Sequence, residues 1–380
     1  MPKINRRGAI ALGAAAGLVA ASSIVRSASA QPTPRLRFGV IGLNHGHIYG
    51  QCDAVIRGGG DLVAFHADEV DLAATFQARY PKALRVRDER RILDDPSIQL
   101  IVSASIPDQR APLGVRAMRA GKDFMVDKPG VTSIEQLADV RRAQAETGRI
   151  YSIAFSERFE SRATIRAGAL VKAGAIGDVV QTVGLGPHRV NAPSRPEWFW
   201  NKARFGGILC DIASHQMDQF LFFTGSTRAV VVASQTGNFH NPDRPDFEDF
   251  GDAMVRGDRG AGYMRVDWFT PAALPVWGDG RLTILGSEGY IELRKYIDIG
   301  GRGGGDHLFL VNADGVQHVD CSNEPLPYGQ RLVDDVLNRT ETAMTQSHCF
   351  LATQLALEAQ AKAMRADVLP SNLSVAGKQQ

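Results

Sequence analysis

Two short stretches of this sequence carry side chains whose types and spacing suit proton transfer at a hydroxyl. Asp127-Lys128-Pro129 closes the apolar run Phe124-Met125-Val126. A lysine at the end of a buried strand offers a fixed positive charge. The proline after it restricts the lysine backbone and admits a cis bond. Further on, Gly206-Gly207-Ile208-Leu209-Cys210-Asp211-Ile212-Ala213-Ser214-His215 reads as the start of a helix that runs to about Thr224, with Gly225 as its stop. Asp211 and His215 stand four apart, so a continuous helix puts both on one face, and Asp218 and Gln219 extend that stripe. Ile212, Phe220 and Phe223 argue that the helix is partly buried, where an Asp/His stripe needs a reason. A surface ion pair or a satisfied core histidine is the plain structural alternative. Imidazole exchanges a proton near neutral pH, and an ammonium stabilises charge that develops on oxygen.

A third stretch, Gly42-Leu43-Asn44-His45-Gly46-His47, follows an apolar strand and precedes a helical segment. A turn there lets backbone approach a pyrophosphate seated on the helix N-terminus. Only the first glycine of G-x-G-x-x-G is in register, with Asn44 and His47 at the second and third positions. Asn tolerates the left-handed backbone that glycine supplies. The carboxylate that ordinarily holds an adenosine ribose follows the second strand, where this chain has His66-Ala67-Asp68-Glu69. Either Asp68 does that work one residue late or His66 faces a 2′-phosphate, so NAD and NADP both stay open. His45-x-His47 also has a spacing that begins metal sites. No third ligand is evident nearby in the chain, and no metal is expected.

The elements that must position these stretches alternate at first. Strands are expected at Arg37 to Gly42, Leu62 to His66, Gln99 to Ala104, Phe124 to Val126 and Ile150 to Phe155. Helices are expected at Asp71 to Tyr80, Leu113 to Ala120 and Ile134 to Thr147, the last capped by Ser133. That alternation predicts a doubly wound, Rossmann-type parallel sheet over residues 35–155, an α/β arrangement. Over 156–368 the pattern becomes strands separated by tight turns, at Gly257-Asp258-Arg259-Gly260, Ser287-Glu288-Gly289 and Ala313-Asp314-Gly315. Such hairpins predict an α+β domain with a large, mostly antiparallel open sheet. One face of that sheet is free to be covered by a second subunit, which motivates a homo-oligomer.

Residues 1–30 have a different character. Lys3, Arg6 and Arg7 precede an Ala-rich run, and Ala28-Ser29-Ala30 stands before Gln31. This is the layout of a twin-arginine signal peptide, so the expected compartment is the periplasm, with no membrane attachment after cleavage. The whole chain has 43 basic and 41 acidic side chains. Removing the segment's four basic residues leaves 39 against 41 and gives no reason to expect a nucleic-acid partner. The four cysteines are widely spaced, without a C-x-x-C pair, and read as packing residues. Residues 369–380 read as a tail.

Taken together, the Gly39 to Gly42 turn, the Gly121 to Pro129 segment, Phe155-Ser156-Glu157-Arg158-Phe159 and the Gly206 to Gln219 stretch resemble the glucose–fructose oxidoreductase/inositol dehydrogenase (Gfo/Idh/MocA) family. The usual Glu-Lys-Pro of that family is Asp-Lys-Pro here. The resemblance implies a cofactor, NAD or NADP, and oxidation or reduction of a sugar, inositol or related polyol. It places the family's lysine, aspartate and histidine on Lys128, Asp211 and His215. On this reading His215 is the base, Lys128 orients the hydroxyl, and Asp211 holds the imidazole or a neighbouring hydroxyl. The cofactor set is Gly42, Asn44, His45, Gly46, His47, Asp68 and Lys128. Arg158, His188 and Trp198 are candidates for the sugar pocket. Two alternatives use the same residues: nicotinamide-dependent glycoside cleavage or epimerisation without net redox, and a sugar-binding protein that has lost its cofactor.

Overall fold

The computed structural model describes residues 35–367. The expected signal segment 1–30 and the expected tail 369–380 lie outside the described residues. Six strands form the first sheet: β1 (Leu36–Ile41), β2 (Gly60–His66), β3 (Leu84–Arg85), β4 (Leu100–Ser103), β5 (Asp123–Asp127) and β6 (Tyr151–Ala154). They pair in the order β3-β2-β1-β4-β5-β6 and every neighbour is parallel. Strands β4, β5 and β6 are buried at every position, as a sheet covered on both faces requires. The connections carry α1 (His47–Arg57), α2 (Val70–Arg79), α3 (Arg90–Leu93), α4 (Pro107–Arg119) and α5 (Ile134–Thr147). The strand order reverses between β1 and β4, which opens a crevice at their carboxyl ends.

Helix α4 begins six residues before the expected start at Leu113. Pro107 opens it, where a missing N–H costs nothing, and Pro112 sits inside it. Pro112 has no N–H to give the Asp108 carbonyl, and that carbonyl instead accepts from Gln136 Nε2 at 2.9 Å. The bond that makes the internal proline tolerable comes from α5, a neighbour the local sequence does not show.

The chain continues through α6 (Ser156–Phe159), α7 (Arg162–Lys172), β7 (Val179–Pro187), α8 (Lys202–Phe205), α9 (Ile208–Asp211) and α10 (Ala213–Thr224). Then follow β8 (Ala229–Gly237), β9 (Phe250–Gly257), β10 (Ala261–Asp267), β11 (Arg281–Gly286), β12 (Tyr290–Arg294), β13 (His307–Asn312) and β14 (Gly315–Val319). The last elements are α11 (Tyr328–Asn338), α12 (Gln346–Lys362) and β15 (Met364–Arg365). The second sheet has the order β14-β13-β12-β11-β7-β10-β9-β8-β15. Only β10 with β7 and β15 with β8 are parallel, and β15, two residues long, was not expected. Along β9 the inward residues Gly251, Ala253 and Val255 alternate with outward Asp252, Met254 and Arg256. The outward face also exposes Val230, Leu285 and Tyr290.

The expected single helix from Gly206 to Thr224 is instead two, α9 and α10, parted at Ile212. Gly207 sets the entry at φ 93° and ψ 160°, a backbone only glycine adopts readily, and a Cβ there would lie 2.3 Å from the Gln360 amide. The His215 N–H reaches back three residues to the Ile212 carbonyl at 3.1 Å, so the chain tightens between Asp211 and His215. The two side chains therefore do not sit on one continuous helix.

Candidate functional site

The turn at the end of β5 is built around an arginine that sequence reading missed. Arg110 of α4 is 1% exposed and its guanidinium lies under residues 127–129. Nη1 donates to the carbonyls of Asp127, Lys128 and Pro129 at 3.2, 2.5 and 3.1 Å, and Nη2 to Asp127 Oδ2 at 3.1 Å. Nε donates to the Ser105 carbonyl at 2.7 Å. The Lys128–Pro129 peptide is cis. A signal was present: Arg110 stands on the same helical stripe as buried Leu113, Gly114, Ala117 and Met118, where an arginine needs a partner.

Lys128 is held from the other side by Asp211, Nζ to Oδ1 at 2.8 Å. Helix α9 delivers Asp211 because its first N–H groups are met by side-chain acceptors. Ile208 N–H donates to Glu248 Oε2 at 3.0 Å and Leu209 N–H to Gln360 Oε1 at 2.9 Å. Cys210 Sγ touches the Val131 carbonyl at 3.3 Å, which ties α9 to the segment after Pro129. Asp211 gives Oδ1 to Lys128 and makes no hydrogen bond to His215 among the described residues, so of its two expected roles, holding the imidazole or a neighbouring hydroxyl, the first is not seen. His215 is 2% exposed and edge-on to Phe155 at 6.2 Å, with Nδ1 unpartnered among the described residues. Burial outweighs the opposing pull of Glu157 and brings its pKa down to about 4.

At the first turn, Gly42 has φ 85°, and a Cβ there would lie 2.5 Å from Ser105 Cβ. The N–H groups of Gly42 and His45 go to the carbonyls of His66 and Ala104, both at 3.0 Å. Those of Leu43, Asn44 and Gly46 have no partner among the described residues, and the space beside Gly46 is open. Free N–H groups at the start of α1 are what a pyrophosphate needs, so the turn fits a dinucleotide despite its missing glycines. A cavity of about 380 Å³ lies against it, lined among others by Asn44, His66, Asp68, Glu69 and Ser105. Glu69 accepts from Asn44 Nδ2 at 2.5 Å, while Asp68 is almost fully exposed. The imidazoles of His45 and His47 turn the other way, toward Asp127. Nδ1 of His47 is 2.9 Å from Oδ1, and Nδ1 of His45 is 3.3 Å from Oδ2. Asp127 is thus the third group that the chain near His45 did not reveal. The three ligand atoms lie within 4.8 Å of one another and could hold part of a divalent cation's shell. Asp127 is held well below the usual carboxylate range, because His47, Arg110 and His45 together outweigh its burial.

A second cavity, of about 210 Å³, opens over Lys128 and Asp211. His188, Trp198, Trp268 and Trp277 form part of its wall, with His188 packed 4.4 Å from Trp277. His45 and His47 reach it from the nucleotide side. Arg158 does not line it. Its guanidinium makes a buried two-bond pair with Asp218, both at 2.7 Å, and stacks 4.0 Å over Phe159. The sugar-pocket reading of Arg158 is therefore corrected: it ties α6 to α10. His215 also lies outside the lining of this cavity.

Two family models match the chain. The oxidoreductase family with an NAD-binding Rossmann fold matches residues 36–155, and the GFO/IDH/MocA C-terminal domain matches residues 164–292. Levoglucosan dehydrogenase of Pseudarthrobacter phenanthrenivorans is 29% identical over 195 residues, 50% of this chain and 49% of that one. An NAD-dependent scyllo-inositol 2-dehydrogenase of Bacillus subtilis is 26% identical over 209 residues, 54% of this chain and 57% of that one. The chain spans about half the length of the curated relatives it matches. A crystal structure from Erwinia carotovora atroseptica SCRI1043, assigned provisionally as an oxidoreductase, is 47% identical with a TM-score of 0.85, covering 87% of this chain and 99% of that one.

The buried His215 makes stability depend on pH with a definite sign. The unfolded chain takes up a proton below about 6.5, while the folded imidazole refuses it until about 4. Its contribution is complete above pH 6.5 and is lost as pH falls toward 4. The thermal midpoint is expected to drop between pH 7 and pH 5, and His215→Leu to reduce that slope. Equal slopes in the two proteins would show that the imidazole is not held neutral by burial.

Proposed function

The chain belongs to the Gfo/Idh/MocA family of oxidoreductases with an NAD-binding Rossmann fold, and from that premise we propose that it transfers hydride to or from a sugar, inositol or related polyol. The observation that carries this reading is the Lys128–Asp211 pair, 2.8 Å apart, in a cavity at the carboxyl end of the parallel sheet. When bound, the nicotinamide supplies the hydride acceptor or donor. Lys128, fixed by Asp211, orients the reacting hydroxyl and stabilises negative charge on its oxygen. His215, buried and neutral at physiological pH but outside the lining of that cavity, is the proton acceptor on the premise that the bound polyol reaches past the cavity wall to it. The tryptophan walls exclude water and offer flat faces to a sugar ring. Asp68 and Glu69 put negative charge where a 2′-phosphate would lie, which favours NAD over NADP.

In single-turnover assays with an accepted polyol, His215→Ala is expected to slow hydride transfer about 10²–10⁴-fold while the protein still binds nucleotide. Lys128→Met should slow the chemical step more than it weakens nucleotide binding. The wild-type kcat/KM should stay flat from pH 8 down to about 5, falling only toward about 4. NADP should be the poorer cofactor. Near-wild-type rates in both variants would move the chemistry elsewhere in the cavity.

Residues 1–30 support export of the folded protein to the periplasm by the twin-arginine route, with the cofactor already seated and held tightly. Replacing Arg6 and Arg7 together by Lys should leave precursor in the cytoplasm, and the exported protein should carry nucleotide through purification. Normal export of that variant contradicts the route.

The exposed apolar side chains Val230, Met254, Leu285 and Tyr290 support a homo-oligomer joined through the open face of the second sheet. No helix among the described residues is long and apolar enough to cross a membrane. Light scattering should read a dimer or larger, and Met254→Lys should shift it toward monomer. A wild-type monomer at micromolar concentration excludes the interface.

A further inference from the structure

The charges around the 210 Å³ cavity do not balance. Two of its cations are matched inside the protein: Lys128 by Asp211 at 2.8 Å and Arg110 by Asp127 at 3.1 Å. Two others, Arg189 and Arg195, have no carboxylate partner among the described residues. They are nevertheless held in place. Arg195 donates from Nε to the Val190 carbonyl at 2.6 Å and from Nη2 to the Arg189 carbonyl at 3.2 Å. Its guanidinium lies 4.4 Å from the Phe199 ring centre and 5.1 Å from that of Trp268. Arg189 Nη2 donates to the carbonyls of Pro271 at 3.1 Å, Val276 at 2.8 Å, and Leu274.

Carbonyls and rings orient a guanidinium but do not neutralise it. Burial works against the charge of Arg195, and the carboxylate that favours it, Asp211, makes its ion pair with Lys128 and none with Arg195 among the described residues. An arginine fork without a counter-ion, preset in a partly buried cavity, is a receptor for a planar or tetrahedral anion. A neutral sugar would fill the space and leave both cations unmatched.

We propose that the substrate carries an anionic group, carboxylate or phosphate, in addition to its reacting hydroxyl, and that Arg195 and Arg189 receive that group. This rests on the hydride-transfer reading for the hydroxyl's role and names the class of molecule that reading leaves open. The hydroxyl end sits at Lys128 and Asp211, and the anionic end lies toward Trp268.

Three cavity tryptophans, Trp198, Trp268 and Trp277, give a binding signal that needs no turnover. The purified protein, with any nucleotide it carries, is titrated with D-glucuronate, D-gluconate and D-glucose 6-phosphate, and with D-glucose and myo-inositol. At least one anionic probe is expected to bind about 10- to 100-fold more tightly than its neutral counterpart. Arg195→Met should abolish that preference, read as the ratio of anionic to neutral binding, and Arg195→Lys should restore part of it. Preference for the two acids assigns a carboxylate, and preference for the sugar phosphate assigns a phosphate. The inference is overturned if no anionic probe binds better than glucose or inositol, or if the preference survives in Arg195→Met. It is also overturned if that variant weakens NADH as much as the acid, which gives the guanidinium to the nucleotide. The two readings fail separately. Turnover of a neutral polyol without anion preference removes this inference alone. Anion binding without hydride transfer on any probe removes the reading of the reaction alone.

Discussion

A buried guanidinium governs the shape of this site. Arg110 has five N–H donors in a rigid fork, and it spends them on Ser105, the carbonyls of residues 127–129 and the Asp127 carboxylate. A backbone that ends a parallel strand and turns at once leaves its carbonyls without sheet partners. Satisfying them with one cation, rather than with water, fixes where Lys128 begins. The cost of burying the charge is offset only while Asp127 stays ionised beside it, so removing either partner would strand the other. The loop after β4, the turn after β5 and helix α4 are thereby one rigid unit.

The same economy appears where α9 meets that unit. Glu248 and Gln360 receive the first N–H groups of a four-residue helix too short to be stable alone. Their positions set the reach of Asp211 to Lys128. Glu248 is in turn held by Lys202 and by the Gln360 amide, so Asp211 is positioned from two separate segments of the chain. His215 escapes this network. Its burial without an Asp partner keeps it neutral, a different device from an imidazole charged beside a carboxylate.

Charge is distributed unevenly between the two cavities. The one beside the nucleotide turn gathers Asp68 and Glu69, whereas the one beyond Lys128 gathers arginines. Fields of opposite sign at the two ends of one crevice discriminate between ligands by where their charges sit. That asymmetry comes from residues on separate elements: α4, the turn after β2, and the segment after β7.

The sequence by itself determined the two sheets, because strand and helix periodicities and hairpin turns are local signals that burial on one or two faces imposes. It also marked Lys128 and Asp211, whose types at strand and helix ends stand out against apolar neighbours. Only the tertiary structure decided the rest. The helix expected from Leu113 starts at Pro107 instead, because α5 supplies the bond that Pro112 cannot make. The four-residue spacing of Asp211 and His215 implied one continuous helix until a tight turn at Ile212 divided it. Arg158 looked free to meet a ligand, yet Asp218, sixty residues on, consumes it. His45 and His47 lacked a third group until β5 brought Asp127 beside them, eighty residues from His47. The physical reason is common to all four. Whether a polar side chain is free or spent depends on partners brought together by packing, and sequence spacing reports only the neighbours along the chain.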